Sequence, residues 1–303
     1  MKLVRWCYGI KYILKKIFGI ESNTIFYEKL IMKYYNICKS RQSGINKSYI
    51  RKKKIIISMT SIPVRIDKVW IVVESLLRQT YKPDQIILWL AKDEFKDCPL
   101  PSTLKAQQKR GLQIRYCENL KSYKKFYYAI KESPNDFIVT VDDDIIYAEN
   151  LLETLVKTYR ANPGCIVCTR SHFIKVSRDK LYPYNNWIMY EDRKFIDRTP
   201  SFHNFLTGGA GALFPAFLLD KNFLNKDVFL KLAPYADDVW LNFWAWVSDI
   251  KIVNTKGFLG YIIGIHSSSN NGLVRINVLY QKNDEQIQQV LKYCNIDFRK
   301  YLN

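Results

Sequence analysis

From Ile55 onward, the apolar residues fall into short β-branched blocks separated by stretches with helical spacing. The blocks Ile55 to Met59, Gln85 to Leu90, Leu112 to Tyr116, Phe137 to Val141 and Cys165 to Thr169 are each bounded by turn-type residues and read as buried strands. Between them, Asp67–Arg78, Leu104–Lys109, Ser122–Lys131 and Glu149–Ala161 carry apolar residues three and four apart and read as helices. Strands alternating with helices predict an α/β domain with a mostly parallel central sheet and right-handed crossovers.

After Arg170 the rhythm changes. Arg178 to Pro200 is rich in Tyr, Asn, Trp and charge without a period, and reads as a long loop covering a substrate. Thr207 to Phe214 holds Gly208, Gly209 and Gly211 in a run of small residues, so backbone or a ligand approaches closely there. Tyr235 to Val247 predicts an aromatic helix that starts with Asp237 and Asp238; Trp240 and Trp244 share one face of it and read as core packing. Lys251–Asn254 and Phe258–Ile265 read as strands, and Asp284–Tyr293 as a closing helix.

The first 50 residues differ from the rest. Leu3, Cys7, Ile10, Leu14 and Ile17 recur at helical spacing, while Lys2, Arg5, Lys11, Lys15 and Lys16 supply positive charge. That pattern suits a helix lying in the interface of an anionic leaflet, or one packed on the protein's own surface. A second helix is expected near Ile25 to Cys38, then a polar basic linker from Lys39 to Lys54. The expected organisation is a basic helical leader over 1–50 and one organised domain over 51–303. No apolar run reaches the roughly 18 residues of a membrane span, and the leader is too interrupted by Lys and Arg for a signal-peptide core.

Charge narrows the choice of partner. Forty-seven Lys and Arg against 28 Asp and Glu leave a net charge of +19, which favours phosphorylated substrates, an anionic membrane surface or nucleic acid. Of the seven cysteines, Cys165 and Cys168 form a CxxC, but on a strand residues three apart point to opposite faces. With no second ligand pair for zinc, the cysteines read as reduced core thiols, which suits a cytoplasmic location.

The candidate chemistry is concentrated in three consecutive aspartates, Asp142, Asp143 and Asp144, directly after the strand ending at Val141. Adjacent carboxylates repel one another and are costly to desolvate, so a cation is expected to neutralise them. A hard divalent ion, Mn²⁺ or Mg²⁺, commonly takes one or two carboxylates and completes its shell with substrate phosphates. In open α/β sheets, ligands also bind at the carboxyl ends of strands.

In this order, ISMTSIPVR, AKDEF, NLKSYKKFYYAI, FIVTVDDDI, TGGAGALFP and APYADDVWL resemble the GT-A fold glycosyltransferases, close to the large inverting family 2 of bacterial polysaccharide-building enzymes. The match runs from about Ile55 to Ile265, roughly two-thirds of the chain. The resemblance implies a metal-dependent transfer of sugar from a nucleotide-diphosphate donor, most readily a UDP-sugar, to a hydroxyl on a glycan or lipid-linked acceptor.

By matching position, Asp144 would bind the metal and Asp142 the ribose or a metal-bound water, with Asp143 able to take either part. The loop of Thr60, Ser61, Pro63 and Arg65 would cradle the nucleotide. Asp93, with Glu94 as its rival, would sit near the base, and Lys124 or Lys125 would face the nucleotide or phosphate. In the acidic pair Asp237-Asp238, the second member would be the general base; Asp237 stands where the family more often has Glu. His266 would be a late third metal ligand. The composition and leader add an expectation of peripheral attachment to the cytoplasmic face of an inner membrane.

Two other classes predict different features. A nucleotidyltransferase would need a second acid cluster for a two-metal site and a glycine-rich phosphate loop, and Thr60 to Arg65 contains no glycine. A basic nucleic-acid-binding protein would be permitted by charge and aromatic content, but no helix-turn-helix, zinc or RNA-binding signature appears. No nucleic-acid partner is expected.

Overall fold

The computed structural model describes residues 2–18, 24–178, 180–190, 199–255, 259, 261–265 and 282–302. The strands, in chain order, are β1 (Ile55–Thr60), β2 (Gln85–Ala91), β3 (Leu112–Cys117), β4 (Phe137–Thr140), β5 (Ile145–Ile146), β6 (Ile166–Cys168) and β7 (Ser171–Phe173). They continue with β8 (Val176–Ser177), β9 (Lys180–Leu181), β10 (Asn204–Leu206), β11 (Ala212–Pro215), β12 (Ile252–Asn254) and β13 (Ile263–Gly264). Seven form the central sheet in the order β12-β6-β11-β4-β1-β2-β3. All neighbouring pairs are parallel except those made by β11, which runs antiparallel to both β4 and β6. This is the mostly parallel α/β sheet expected from the sequence.

The helices are α1 (Leu3–Phe18), α2 (Thr24–Ile37), α3 (Ile66–Leu77), α4 (Ser102–Gln108), α5 (Lys124–Glu132), α6 (Leu151–Ala161), α7 (Lys226–Leu232), α8 (Asp237–Val247), α9 (Lys282–Tyr293) and α10 (Arg299–Leu302). Strand residues alternate between two cores because successive side chains point to opposite faces. Ile55, Ile57, Met59, Val139 and Val167 join α3, α4 and α6 on one face. Ile56, Ile138, Ile166 and Cys168 join α5, α8 and α9 on the other. In α3, Val69, Val72, Val73 and Leu76 form one apolar stripe and are all buried. Cys165 and Cys168 fall in different cores, and all seven cysteines are free thiols. Trp240 and Trp244 are buried core residues, as expected.

From β1 the chain steps outward to β2 and β3, then returns to place β4 on the opposite side of β1. The strand order therefore reverses between β1 and β4. In open sheets, the crevice beyond the carboxyl ends of such a strand pair is where ligands bind.

The leader departs from one expectation. Leu3 and Cys7, whose spacing offered a face to an anionic leaflet, are buried in the chain's own core together with Val4 and Tyr8. In α2, Tyr27, Ile31 and Tyr35 enter the same core. Packing against β-sheet and helix apolar surface removes this face from water as effectively as a leaflet would. Trp6 and Ile13 remain exposed on the other side of α1. Among the described residues, no helix is long and apolar enough to cross a membrane.

Candidate active site

Two short loops meet at the switch point. After β1, Pro63 opens a 3₁₀ turn, Pro63–Arg65, whose fixed φ suits a first helical position. The turn aims Arg65 back toward β4. There Arg65 Nη1 lies 2.8 Å from Asp143 Oδ1 and 3.2 Å from Asp144 Oδ2. Ser61 donates to Asp143 Oδ2 at 2.5 Å. Asp143 is buried and has a partner on each oxygen, so it ties the two loops together. Burial pushes its carboxyl above the ordinary carboxylate range, although Arg65 and Ser61 oppose that.

Asp142 and Asp144 are more accessible, with side chains 38% and 28% exposed. Asp144 is pushed up to about 6 by burial, then by Asp142 and Asp143, against the pull of Arg65 and Lys125. Asp142 Oδ1 accepts from Lys125 Nζ at 2.8 Å, and Lys125 also contacts Asp237 Oδ2 at 2.9 Å. Burial works against the Lys125 charge, but Asp142, Asp237 and Asp238 outweigh it and hold the ammonium well above its ordinary range. Both lysines of the pair are buried; Lys124 instead donates to Asn119 at 3.2 Å and lies 3.6 Å from Glu94.

The second acid pair comes from the first turn of α8, where the helix dipole favours negative charge. Neither acid is the N-cap, which is Ala236. Asp237 is buried against Lys125, while Asp238 is partly exposed and accepts from the Gly208 amide at 2.8 Å. Asp238 is pushed up to about 7 by burial and then by Asp237, with Lys125 and the Gly208 amide opposing.

The glycines hold a closer neighbour than the sequence suggested. A Cβ on Gly209 would lie 1.7 Å from Asp142 Oδ2, and one on Gly208 would lie 3.1 Å from Asp238 Oδ1. The groups that approach this backbone in the structure are therefore the two site carboxylates themselves. Any side chain at position 209 would displace Asp142. The Thr140 hydroxyl donates to the Gly208 carbonyl at 2.9 Å, fixing the turn against the end of β4.

Other expected residues sit further out. The Thr60 hydroxyl donates to the Trp89 carbonyl at 2.8 Å and so secures β1 to β2. Asp93 is exposed at the end of β2; its described partner is Asn119 Nδ2 at 3.5 Å, not the acid triplet. His266 lies outside the described residues.

The sequence reading missed Tyr147 and Asn242. Tyr147 is buried; its hydroxyl donates to the Gly209 carbonyl and accepts from the Asp142 amide at 2.8 Å. Asn242 accepts from the Leu206 amide at 2.8 Å and donates to the Asp238 carbonyl at 2.7 Å, joining the start of α8 to β10. The signal for Tyr147 was its place three residues past the triplet, since a buried tyrosine needs a partner for its hydroxyl.

Charge and donor set fit a divalent cation. Asp142, Asp143, Asp144, Asp237 and Asp238 are held by Arg65 and Lys125, which leaves an excess of negative charge when all five are ionised. Among the described residues, no three His, Cys, Asp or Glu side chains form a ready metal cage. One or two carboxylates, completed by substrate phosphates, is the mode that hard cations use in phosphate-binding enzymes. Asp142 and Asp144 meet that requirement, whereas Asp143 has both oxygens engaged.

Several solved structures resemble this chain. A fragment of TarS from S. aureus, residues 1–349, aligns with a TM-score of 0.46 at 16% identity, covering 68% of this chain and 59% of that one. The same fragment in complex with UDP aligns at 0.46 and 14%, covering 81% and 73%. The mannosyltransferase PcManGT from Pyrobaculum calidifontis, in complex with GDP-Man and Mn²⁺, aligns at 0.47 and 12%, covering 90% and 72%. The chain thus spans less than two-thirds of the length of the first TarS fragment. No curated protein sequence matches it. Residues 64–223, more than half of the chain, match the glycosyl transferase family 2 model, spanning Arg65, the acid triplet and the Gly208–Gly209 turn; the chain belongs to that family.

Proposed function

We propose that this enzyme transfers a sugar from a UDP-sugar to a hydroxyl of a glycan or lipid-linked acceptor, with inversion and with Mn²⁺ or Mg²⁺ held at Asp142 and Asp144. The observation that carries this reading is the Lys125 ammonium between Asp142 and Asp237. It fixes the acid pair of α8 beside the acid triplet after β4, so a base and a diphosphate-metal site share one crevice.

Asp238 is the proposed general base. Its carboxylate takes the proton of the acceptor hydroxyl as that oxygen bonds to the anomeric carbon, and the bond from that carbon to the diphosphate breaks with its electron pair leaving on phosphate oxygen. A group near pH 7 is well matched to this task, and Asp238 is pushed up to about 7. Bound at Asp142 and Asp144, the cation supplies Lewis-acid neutralisation of the leaving diphosphate. Asp143, Ser61 and Arg65 hold the two loops in register, and Arg65 presents positive charge toward the phosphates. Lys125 holds Asp142 and Asp237 in place.

The choice of UDP rests on the sequence resemblance. Calorimetric titration of UDP, GDP and ADP, with and without Mn²⁺, tests it. Metal-dependent binding of UDP alone is expected. Binding of GDP or ADP in its stead would change the donor class, and no binding by folded protein would remove the donor-site reading.

We also place the protein at an anionic leaflet on the cytoplasmic side of a membrane. Since Leu3 and Cys7 are buried, the contact falls to exposed Trp6 and Ile13, aided by Lys2 and Arg5.

A further inference from the structure

The acid loop has a support that comes from far away in sequence. Immediately after Asp144, β5 pairs antiparallel with β13, with Ile146 opposite Ile263 and Ile145 opposite Gly264. The Ile265 amide donates to the Asp144 carbonyl at 2.7 Å. This two-stranded ribbon therefore begins at a site aspartate and fixes the backbone of that residue.

Helix α1 holds both strands of the ribbon. The buried Tyr8 hydroxyl donates to the Ile146 carbonyl at 2.8 Å. Lys11 Nζ donates to the Ile262 carbonyl at 2.5 Å, and the Tyr12 ring meets Tyr261 edge-on at 5.4 Å. Glu149, buried just past the ribbon, accepts from the Val4 amide at 3.1 Å and the Arg5 amide at 2.9 Å. These are first-turn amides of α1 with no intrahelical partner, so the carboxylate satisfies them and complements the helix dipole.

The other supports of the loop come from elements near the site. Ser75 of α3 accepts from the Tyr147 amide at 3.1 Å, and Gln79 donates to the Ala148 carbonyl at 2.9 Å. With Phe at position 8, α1 would still cover the Ile146 carbonyl but its buried hydroxyl partner would be gone. Leaving buried polar groups unsatisfied favours a shift of the backbone that carries them.

We propose that α1 is a positioning element of the donor site, with Tyr8 as the positioning residue that acts on Asp144 through the β5–β13 ribbon. The inference rests on the metal-and-nucleotide reading of Asp142 and Asp144. Tyr8 touches neither nucleotide nor cation; it sets where Asp144 stands.

The test uses the full chain with Tyr8→Phe, and Ile31→Val in the leader core as a control that loosens packing without touching the ribbon. Two readouts are taken: calorimetric affinity for UDP with Mn²⁺, and metal-free hydrogen exchange of the Ile265 amide. Tyr8→Phe should weaken Mn²⁺-dependent UDP binding roughly fivefold, the equivalent of one buried hydrogen bond, and speed Ile265 exchange. Ile31→Val should lower the melting temperature with both readouts unchanged.

Unchanged UDP affinity in Tyr8→Phe would overturn the proposal, whether or not exchange alters, because the contact would then be purely structural. Equal weakening in Ile31→Val would overturn it too, by making the effect one of general stability. If the wild type binds no nucleotide, the donor-site reading fails separately. Ile265 exchange then still tests the brace: faster exchange in Tyr8→Phe alone supports it, and unchanged exchange overturns it.

Discussion

The two acid clusters of the crevice are built alike but reached from opposite halves of the chain. In the triplet after β4, Asp143 is buried with Ser61 and Arg65, while Asp142 and Asp144 stay accessible. In the pair on α8, Asp237 is buried against Lys125, while Asp238 stays partly open and takes one backbone amide. Each cluster thus has an anchoring carboxylate with a cation and a working carboxylate with fewer partners. The difference lies in the field each working acid feels. Asp144 is raised by its own neighbours in the triplet after burial, and Asp238 by burial and Asp237. In the proposed function a cation would relieve the first and a proton from the acceptor the second, which is the division of labour a metal-assisted transfer needs.

The largest effect is expected from removing the working acid of α8. Asp238→Asn should lower transfer by about 10²- to 10⁴-fold, the usual contribution of a general base, while UDP affinity stays within about twofold. Steady-state kinetics beside calorimetry would show it; substantial residual transfer would remove Asp238 as the base.

Next comes the cation shared by the clusters. Lys125→Met leaves Asp142 and Asp237 without their buried partner and should destabilise the fold by about 3–5 kcal/mol at pH 8, the usual penalty for breaking a buried pair. Urea unfolding measures this, and a loss well under 1 kcal/mol would mean the bridge is dispensable.

A smaller effect is expected from pH. Burial pushes Asp144 up to about 6 and Asp238 up to about 7 in the fold, above the 3.8 of an unperturbed aspartate. A carboxyl raised in the folded state adds stability that is complete below its unfolded value and is lost as pH rises through the folded value. Metal-free protein should therefore melt at a higher temperature at pH 5 than at pH 8, and Mn²⁺ should restore more stability at pH 8 than at pH 5. Scanning calorimetry at the two pH values would decide, and a flat profile would mean the two acids are not strained. The smallest effect is expected at the membrane: Trp6→Ala with Ile13→Asp should reduce co-sedimentation with anionic vesicles without altering UDP affinity. Undiminished sedimentation would release α1 from that role.

What the sequence could show followed from local pattern. The β-branched runs, the stripe of α3 and the position of Asp142–Asp144 after β4 are all periodic or contiguous features, and they predicted the parallel sheet and the acid triplet at a strand end. The direction of β11 was not legible, because Thr207 to Phe214 carries no pattern that separates a parallel from an antiparallel strand. Lys125 could not be told from Lys124, since both lie at the start of one helix and only the distant Asp237 picks one. The burial of Leu3 and Cys7 was open for a related reason: an amphipathic helix has the same spacing whether a leaflet or a protein core receives it.

The most direct test compares Asp143→Asn with Asp144→Asn for Mn²⁺-dependent UDP binding and for metal-free stability. Asp144→Asn should lose binding and, by relieving repulsion, melt no lower than wild type at pH 8. Asp143→Asn should lose stability, by about 1–3 kcal/mol for a buried charged hydrogen bond, more than affinity. A folded Asp144→Asn that binds UDP with Mn²⁺ as tightly as wild type would contradict the division between anchoring and working carboxylates.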